Sequence, residues 1–146
     1  MMMTGAPPKT WAMGMPEFLI TDLQQSLAFW TGIMGFAIAY SRPEQDFVYL
    51  EHPDGAQMMM YPRDGAWEVG AMERPFGRGV VFQVYVRDVG AMARAVTAAG
   101  VPFYVQPRER WRHWGDRMGG QREFLVQDPD GYLVMVAQRI GERPLD

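Results

Sequence analysis

His52 and His113 are the only imidazoles in the chain, and cysteine is absent. Disulfides, thiolate metal sites and cysteine nucleophiles are therefore excluded, and a site needing two histidines must use both. His52 directly precedes a Pro-Asp-Gly turn, and His113 lies in an arginine-rich stretch, so both are expected as exposed loop imidazoles. Glu17 falls in a strand-like run in which Phe18 and Ile20 claim one face. A carboxylate desolvated on the other face would have a raised pKa and could take up a proton or receive a cation; an ion pair with Arg87 is the plainer alternative. The stretch 106–121 carries Arg108, Arg110, Arg112 and Arg117 interleaved with Trp111 and Trp114. Arginine beside tryptophan favours stacking on a planar or anionic group, and Gly115, Gly119 and Gly120 add mobility. The alternative is a long solvated hairpin whose tryptophans pack on its own sheet or on a partner subunit.

The elements that must position these groups occur twice. Thr21-Asp22-Leu23 opens a helical stretch that closes at Gly35, and Arg87-Asp88-Val89 opens another that closes at Gly100. Asp22 and Asp88 suit N-cap positions, and Leu23, Leu27, Trp30 and Met34 recur at helical spacing. The turn His52-Pro53-Asp54-Gly55 is echoed by Asp128-Pro129-Asp130-Gly131, each between apolar runs. Asp22 and Asp88 are 66 residues apart, whereas Asp54 and Asp130 are 76 apart, so about ten residues are inserted in the second copy, between Pro107 and Glu123. The order strand, helix, strand, strand, turn, strand thus appears twice.

A chain of 146 residues fits one domain, with modules at about 14–62 and 78–141 joined by a linker at 63–77. Residues 1–13 are expected as a flexible arm and 142–146 as a tail. Net charge is -3 and the sequence pI about 5.4, which argues against nucleic acid as the main partner. The apolar runs are too short to span a bilayer, and the first residues lack the apolar core of a secretory signal, so a cytoplasmic location is expected.

Pro16 to Leu23, Ser26 to Trp30, Gly35-Phe36 and Arg122 to Gln127, followed by Asp128-Pro129-Asp130-Gly131, resemble the vicinal oxygen chelate superfamily. The similarity is greatest to the bleomycin resistance protein branch of the glyoxalase/bleomycin resistance/dioxygenase group, and it runs from about Met15 to Ile140. The resemblance implies an α+β fold of two tandem βαβββ modules whose mixed sheets curl into a cup with the helices outside. It also implies a homodimer with ligand clefts at or near the subunit interface.

Enzymes of the superfamily hold a divalent metal on two pairs of strand positions. Those positions here are Met15, Val81, Met135, and Met59 or, with a register slip, Tyr61. Thioethers and an isopropyl group do not hold hard ions, so no metal or other cofactor is expected. Alternation turns Glu17 and Leu19 of the first strand and Val81, Gln83 and Tyr85 of the fifth into the cup, while Met58 and Met60 turn toward the helices. The candidate wall consists of Glu17, Trp30, Tyr49, Met59 and Tyr61 from the first module. Gln83, Tyr85, Trp111, Trp114 and Met135 complete it from the second. The expected function is non-catalytic sequestration of an apolar or aromatic small molecule, including a bleomycin-type antibiotic. Two enzymes are the alternatives: a metal-dependent glyoxalase- or dioxygenase-like activity, and metal-free proton transfer by Glu17.

Overall fold

A computed structural model describes residue 8 and residues 10–145. The first module runs β1 (Glu17–Ile20), α1 (Leu23–Trp30), β2 (Ala37–Arg42), a short 3-10 turn, β3 (Phe47–Glu51) and β4 (Gln57–Pro62). The second runs β5 (Val81–Tyr85), α2 (Val89–Ala98), β6 (Phe103–Trp114), β7 (Arg117–Gln127) and β8 (Leu133–Pro144). Each module forms a four-stranded mixed sheet, in the orders β1-β4-β3-β2 and β5-β8-β7-β6. In each, the strand before the helix pairs in parallel with the last strand, and the other pairs are antiparallel. The fold is therefore the expected α+β pair of βαβββ modules, with open sheets.

Capping explains where the helices begin. The Asp22 carboxylate accepts from the Gln25 N–H and that of Asp88 from the Ala91 N–H, both at 3.0 Å. Gly35 and Gly100, at φ of 78° and 72°, leave the helical regions in the left-handed conformation that glycine adopts without strain.

Period-two alternation then builds the core. Phe18, Ile20, Met58, Met60, Val84 and Val86 all turn toward the helices and are buried. The two modules meet through aromatic side chains: Phe18 stacks on Tyr132 at 4.5 Å and meets Phe82 edge-on at 5.5 Å. Trp30 lies in the same cluster and is fully buried. Each such side chain contributes about 1.5–3 kcal/mol of burial free energy.

Two boundaries differ from expectation. The tail expected from residue 142 instead continues β8, where Gly119, Met118 and Arg117 of β7 pair with Glu142, Arg143 and Pro144. The inserted residues of the second copy lengthen β6 and β7 into a hairpin, and that length gives the chain end a partner. The end of the arm is also held. Gln57 donates to the Thr10 carbonyl at 2.7 Å and accepts from the Ala12 N–H at 2.8 Å. The rest of the arm (1–7 and 9) and the last residue of the tail lie outside the described residues.

Candidate functional site: the inner face of the second sheet

The inner faces of the two sheets carry most of the candidate wall, and they are finished differently. On the first sheet Tyr49 is buried, and its hydroxyl donates to Gln57 Oε1 at 2.7 Å and lies 2.8 Å from Met15 Sδ. Trp11 packs edge-on against Tyr49 at 5.0 Å, and Tyr40 stacks on it at 5.2 Å. Burial, then the neighbouring Tyr40 and Glu51, push the Tyr49 phenol above its ordinary pKa. The chain's own residues 10–15 therefore cover this part of the face.

Tyr61 lies toward the rim, donating to Asp64 Oδ2 at 2.8 Å. Met59 is half-buried beside Glu17, its partner in the β1–β4 register. Glu17 itself is exposed. Arg87, its expected partner, lies 3.4 Å from Asp54 instead.

The second inner face is open. Val81, Gln83 and Tyr85 are all exposed, and alternation from β7 and β8 adds Gln121, Glu123, Met135 and Arg139. A hydrogen-bonded chain crosses it. Gln83 donates to the Tyr85 hydroxyl at 2.9 Å, and Tyr85 reaches Gln121 Oε1 at 3.4 Å. The Gln121 amide in turn donates to Glu123 Oε1 at 2.7 Å and lies 3.8 Å from Met135 Sδ.

Glu123 is fully buried at the floor of this face. Arg108 donates to Oε2 at 2.9 and 3.1 Å, and Arg112 to Oε1 at 2.6 Å and Oε2 at 2.9 Å. Burial alone would raise its pKa, but the donors from Arg112, Gln121 and Arg108 outweigh that and hold the carboxyl at about 2. Glu123 is thus a fixed anion that aligns two guanidiniums along β6.

Above it, a cleft of about 290 Å³ opens between Tyr85, Arg112, Trp114, Gln121 and Arg139. The Arg139 guanidinium lies over the Tyr85 ring at 4.9 Å and the Trp114 ring at 5.4 Å. Trp114 is half exposed at the mouth, and His113, exposed as expected but in strand β6 rather than a loop, is among the lining residues.

Three expectations need correction. Trp30 belongs to the buried core, where its indole N–H donates to Asp128 Oδ2 at 3.2 Å. Trp111 lies on the opposite face of the hairpin from Trp114, because three residues along a strand reverse the direction of the side chain. It packs over Gly120 under the Arg143 guanidinium at 4.5 Å, and its indole N–H donates to Glu109. His52 is buried rather than exposed; its Nδ1 accepts from the Asp54 N–H at 3.0 Å, and burial pulls its pKa down, favouring the neutral ring.

Gln121, Glu123 and Arg139, which are not part of the candidate wall, organise this face. Their signal was present: Arg108, Arg110 and Arg112 alternate, and Glu123 falls at an inward position of an apolar strand.

The positions that the resemblance assigns to metal ligands hold Met15, Met59 or Tyr61, Val81 and Met135, which offer thioethers, an alkyl group and at most one phenol. Among the described residues, no group of three or more histidine, cysteine, aspartate or glutamate side chains could hold an ion.

Residues 13–136 match the model of the Glyoxalase/Bleomycin resistance protein/Dioxygenase superfamily, and the chain belongs to that family. A probable lactoylglutathione lyase from Vibrio cholerae is 26% identical over 124 residues, covering 82% of this chain and 84% of the relative. A protein from the mobile metagenome of V. pseudocholerae shares the fold with a TM-score of 0.66 at 17% identity, over 92% of this chain and 99% of that one. Lactoylglutathione lyase from Agrobacterium tumefaciens shares it with a TM-score of 0.57 at 20% identity, over 90% and 95%. Among the described residues, no helix is long and apolar enough to cross a membrane.

Proposed function

We propose that the protein binds a small organic molecule on the inner face of its second sheet and acts by sequestration, as a member of the bleomycin resistance protein branch. The observation that carries this reading is the open cleft between Tyr85, Trp114 and Arg139, with a hydrogen-bonded floor from Gln83 to Glu123. A concave face with aromatic walls and a few fixed polar groups is sufficient for binding and supplies no nucleophile. The name of the Vibrio cholerae relative points instead to a lyase; against the metal-dependent alternative stands the donor set at Met15, Met59 or Tyr61, Val81 and Met135.

A homodimer completes the reading. Val81, Tyr85 and Trp114 are large exposed side chains on the open face, and Trp11 is 45% exposed beside the first. A second copy that set its first sheet opposite this second sheet would close the cleft and cover these groups. A cytoplasmic location accords with this role.

The test is a thermal-shift panel of aromatic and antibiotic ligands, with metal-free and copper-loaded bleomycin among them, followed by calorimetry on any hit. A ligand at about 100 times its Kd adds about 2.7 kcal/mol, which is roughly 5–10 °C in Tm for a domain of this size. The reading predicts such a shift with one site per chain. Metal-stimulated turnover of lactoylglutathione, with no ligand raising Tm, would contradict it.

A further inference from the structure

The charge pattern of the cleft narrows the class of ligand; this step rests on the reading of the second inner face as a binding cleft. We propose that the cleft takes a planar aromatic anion, an aryl carboxylate in the simplest case, and that the Arg139 guanidinium receives its charge.

Most guanidiniums around the cleft are already paired. Arg108 and Arg112 share Glu123. Arg117 holds Asp116 at 2.9 Å and Glu142 at 3.0 Å, so the one carboxylate among the residues lining the cleft is itself engaged. Arg139 is different. Its contacts are the Tyr85 and Trp114 rings, and among the described residues it has no carboxylate partner.

The Tyr85 and Trp114 rings hold the Arg139 cation in place. Among the described residues its guanidinium makes no hydrogen bond or ion pair, so its planar fork of N–H donors is available to a bidentate acceptor. Holding the side chain in advance also lowers the rotamer entropy lost when a ligand binds.

Shape and polarity complete the class. A cleft of about 290 Å³ is near the lower end of ligand sites and has room for one or two fused rings. Trp114, half exposed at the mouth, offers a face on which such a ring can lie. Arg112 lines the same cleft, so two guanidinium side chains border the space where an anion would sit.

The experiment titrates the purified protein with three probes of one shape and different charge: 2-naphthoate, 2-naphthalenemethanol and 2-naphthylmethylammonium. Calorimetry is run on the unaltered chain, on Arg139→Gln and on Arg139→Lys, each checked for unchanged Tm and circular dichroism. Arg139 is exposed, so neither substitution opens the core. Naphthoate should bind at least about tenfold more tightly than the alcohol, the margin of one charge-assisted contact. Arg139→Gln should bring the ratio of naphthoate to alcohol affinity close to one, and Arg139→Lys should recover only part of it. Equal affinity for naphthoate and the alcohol would overturn the proposal while leaving a binding cleft in place. Preference for the ammonium would overturn it in favour of a cationic ligand. Failure of all three probes to bind would also overturn it, and the broader ligand panel would then judge the cleft on its own. A naphthoate preference that survives Arg139→Gln would refute the assignment of the charge to Arg139.

Discussion

Asp130, in the turn of the second module, accepts from the backbone N–H of Thr21 at 3.1 Å and from its hydroxyl at 2.6 Å, closing the end of the first module's leading strand. The opposite contact is made by Asp54, which accepts from the Arg87 N–H at 2.9 Å at the end of β5. Each Pro-Asp-Gly turn thus caps the other module, and the sequence duplication becomes a reciprocal clasp. The pair is not equal. Asp130 is buried and also binds Arg74 of the linker at 3.0 Å, whereas Asp54 is half-buried.

That inequality is measurable by urea denaturation. Asp130→Ala strands the Thr21 N–H and hydroxyl and should cost about 2–4 kcal/mol, the range for breaking a buried, charge-assisted network. Asp54→Ala should cost about 1 kcal/mol, since water can replace more of what it loses. Equal losses would show that the clasp does not depend on burial.

Gly131 follows Asp130 at φ of 97°, and a Cβ there would stand 2.5 Å from the Pro75 side chain and 2.6 Å from its Cα. Gly131→Ala therefore meets both backbone strain and the linker. We expect a loss of roughly 2–4 kcal/mol by the same denaturation assay, with the linker freed for protease cleavage. A stability change below about 0.5 kcal/mol would mean that the linker does not rest on this turn.

Acid should expose the role of Glu123. Its folded-state pKa of about 2 lies below the ordinary 4.5 expected for the unfolded chain. A depressed acid contributes stability that is full above the unfolded pKa and is lost as pH falls through the folded one. The stability difference between the unaltered chain and Glu123→Gln should therefore be greatest above pH 4.5 and shrink toward pH 2. A difference that stays constant over this window would remove the ion cage from the account.

Asp128 should show the reverse trend. Burial raises it to about 6 from 3.8, against the N–H donors of Tyr132 and Trp30. A raised acid binds more protons folded than unfolded, so its contribution is full below pH 3.8 and declines as pH rises through about 6. Titration of its carboxyl carbon by NMR should give a midpoint near pH 6. A midpoint near 4 would contradict the burial argument.

Much of the fold was legible because its signals are local. The caps at Asp22 and Asp88, the paired Pro-Asp-Gly turns and the alternation that sends Met58 and Met60 to the core each need only near neighbours. The site was less legible. Trp30 carries a helical spacing that serves core or cleft equally, and its partner Asp128 is 98 residues away. Composition groups Trp111 with Trp114, but strand periodicity divides them. The fixing of the arm depended on Gln57, whose polar side chain in an apolar strand gave no sign of what it held. Likewise, the long tertiary reach of Arg139 to Trp114 has no sequence pattern of its own.

We propose that this member of the superfamily carries no resident metal, because the positions that the resemblance assigns to ligands hold Met15, Met59 or Tyr61, Val81 and Met135. The most direct test is metal stoichiometry: protein purified without chelator is equilibrated with nickel, zinc, manganese and magnesium, desalted, and analysed for bound ions and for turnover of lactoylglutathione. Far less than one ion per chain and no metal-stimulated turnover are expected. One tightly held ion per chain, lost together with activity on chelation, would contradict the proposal.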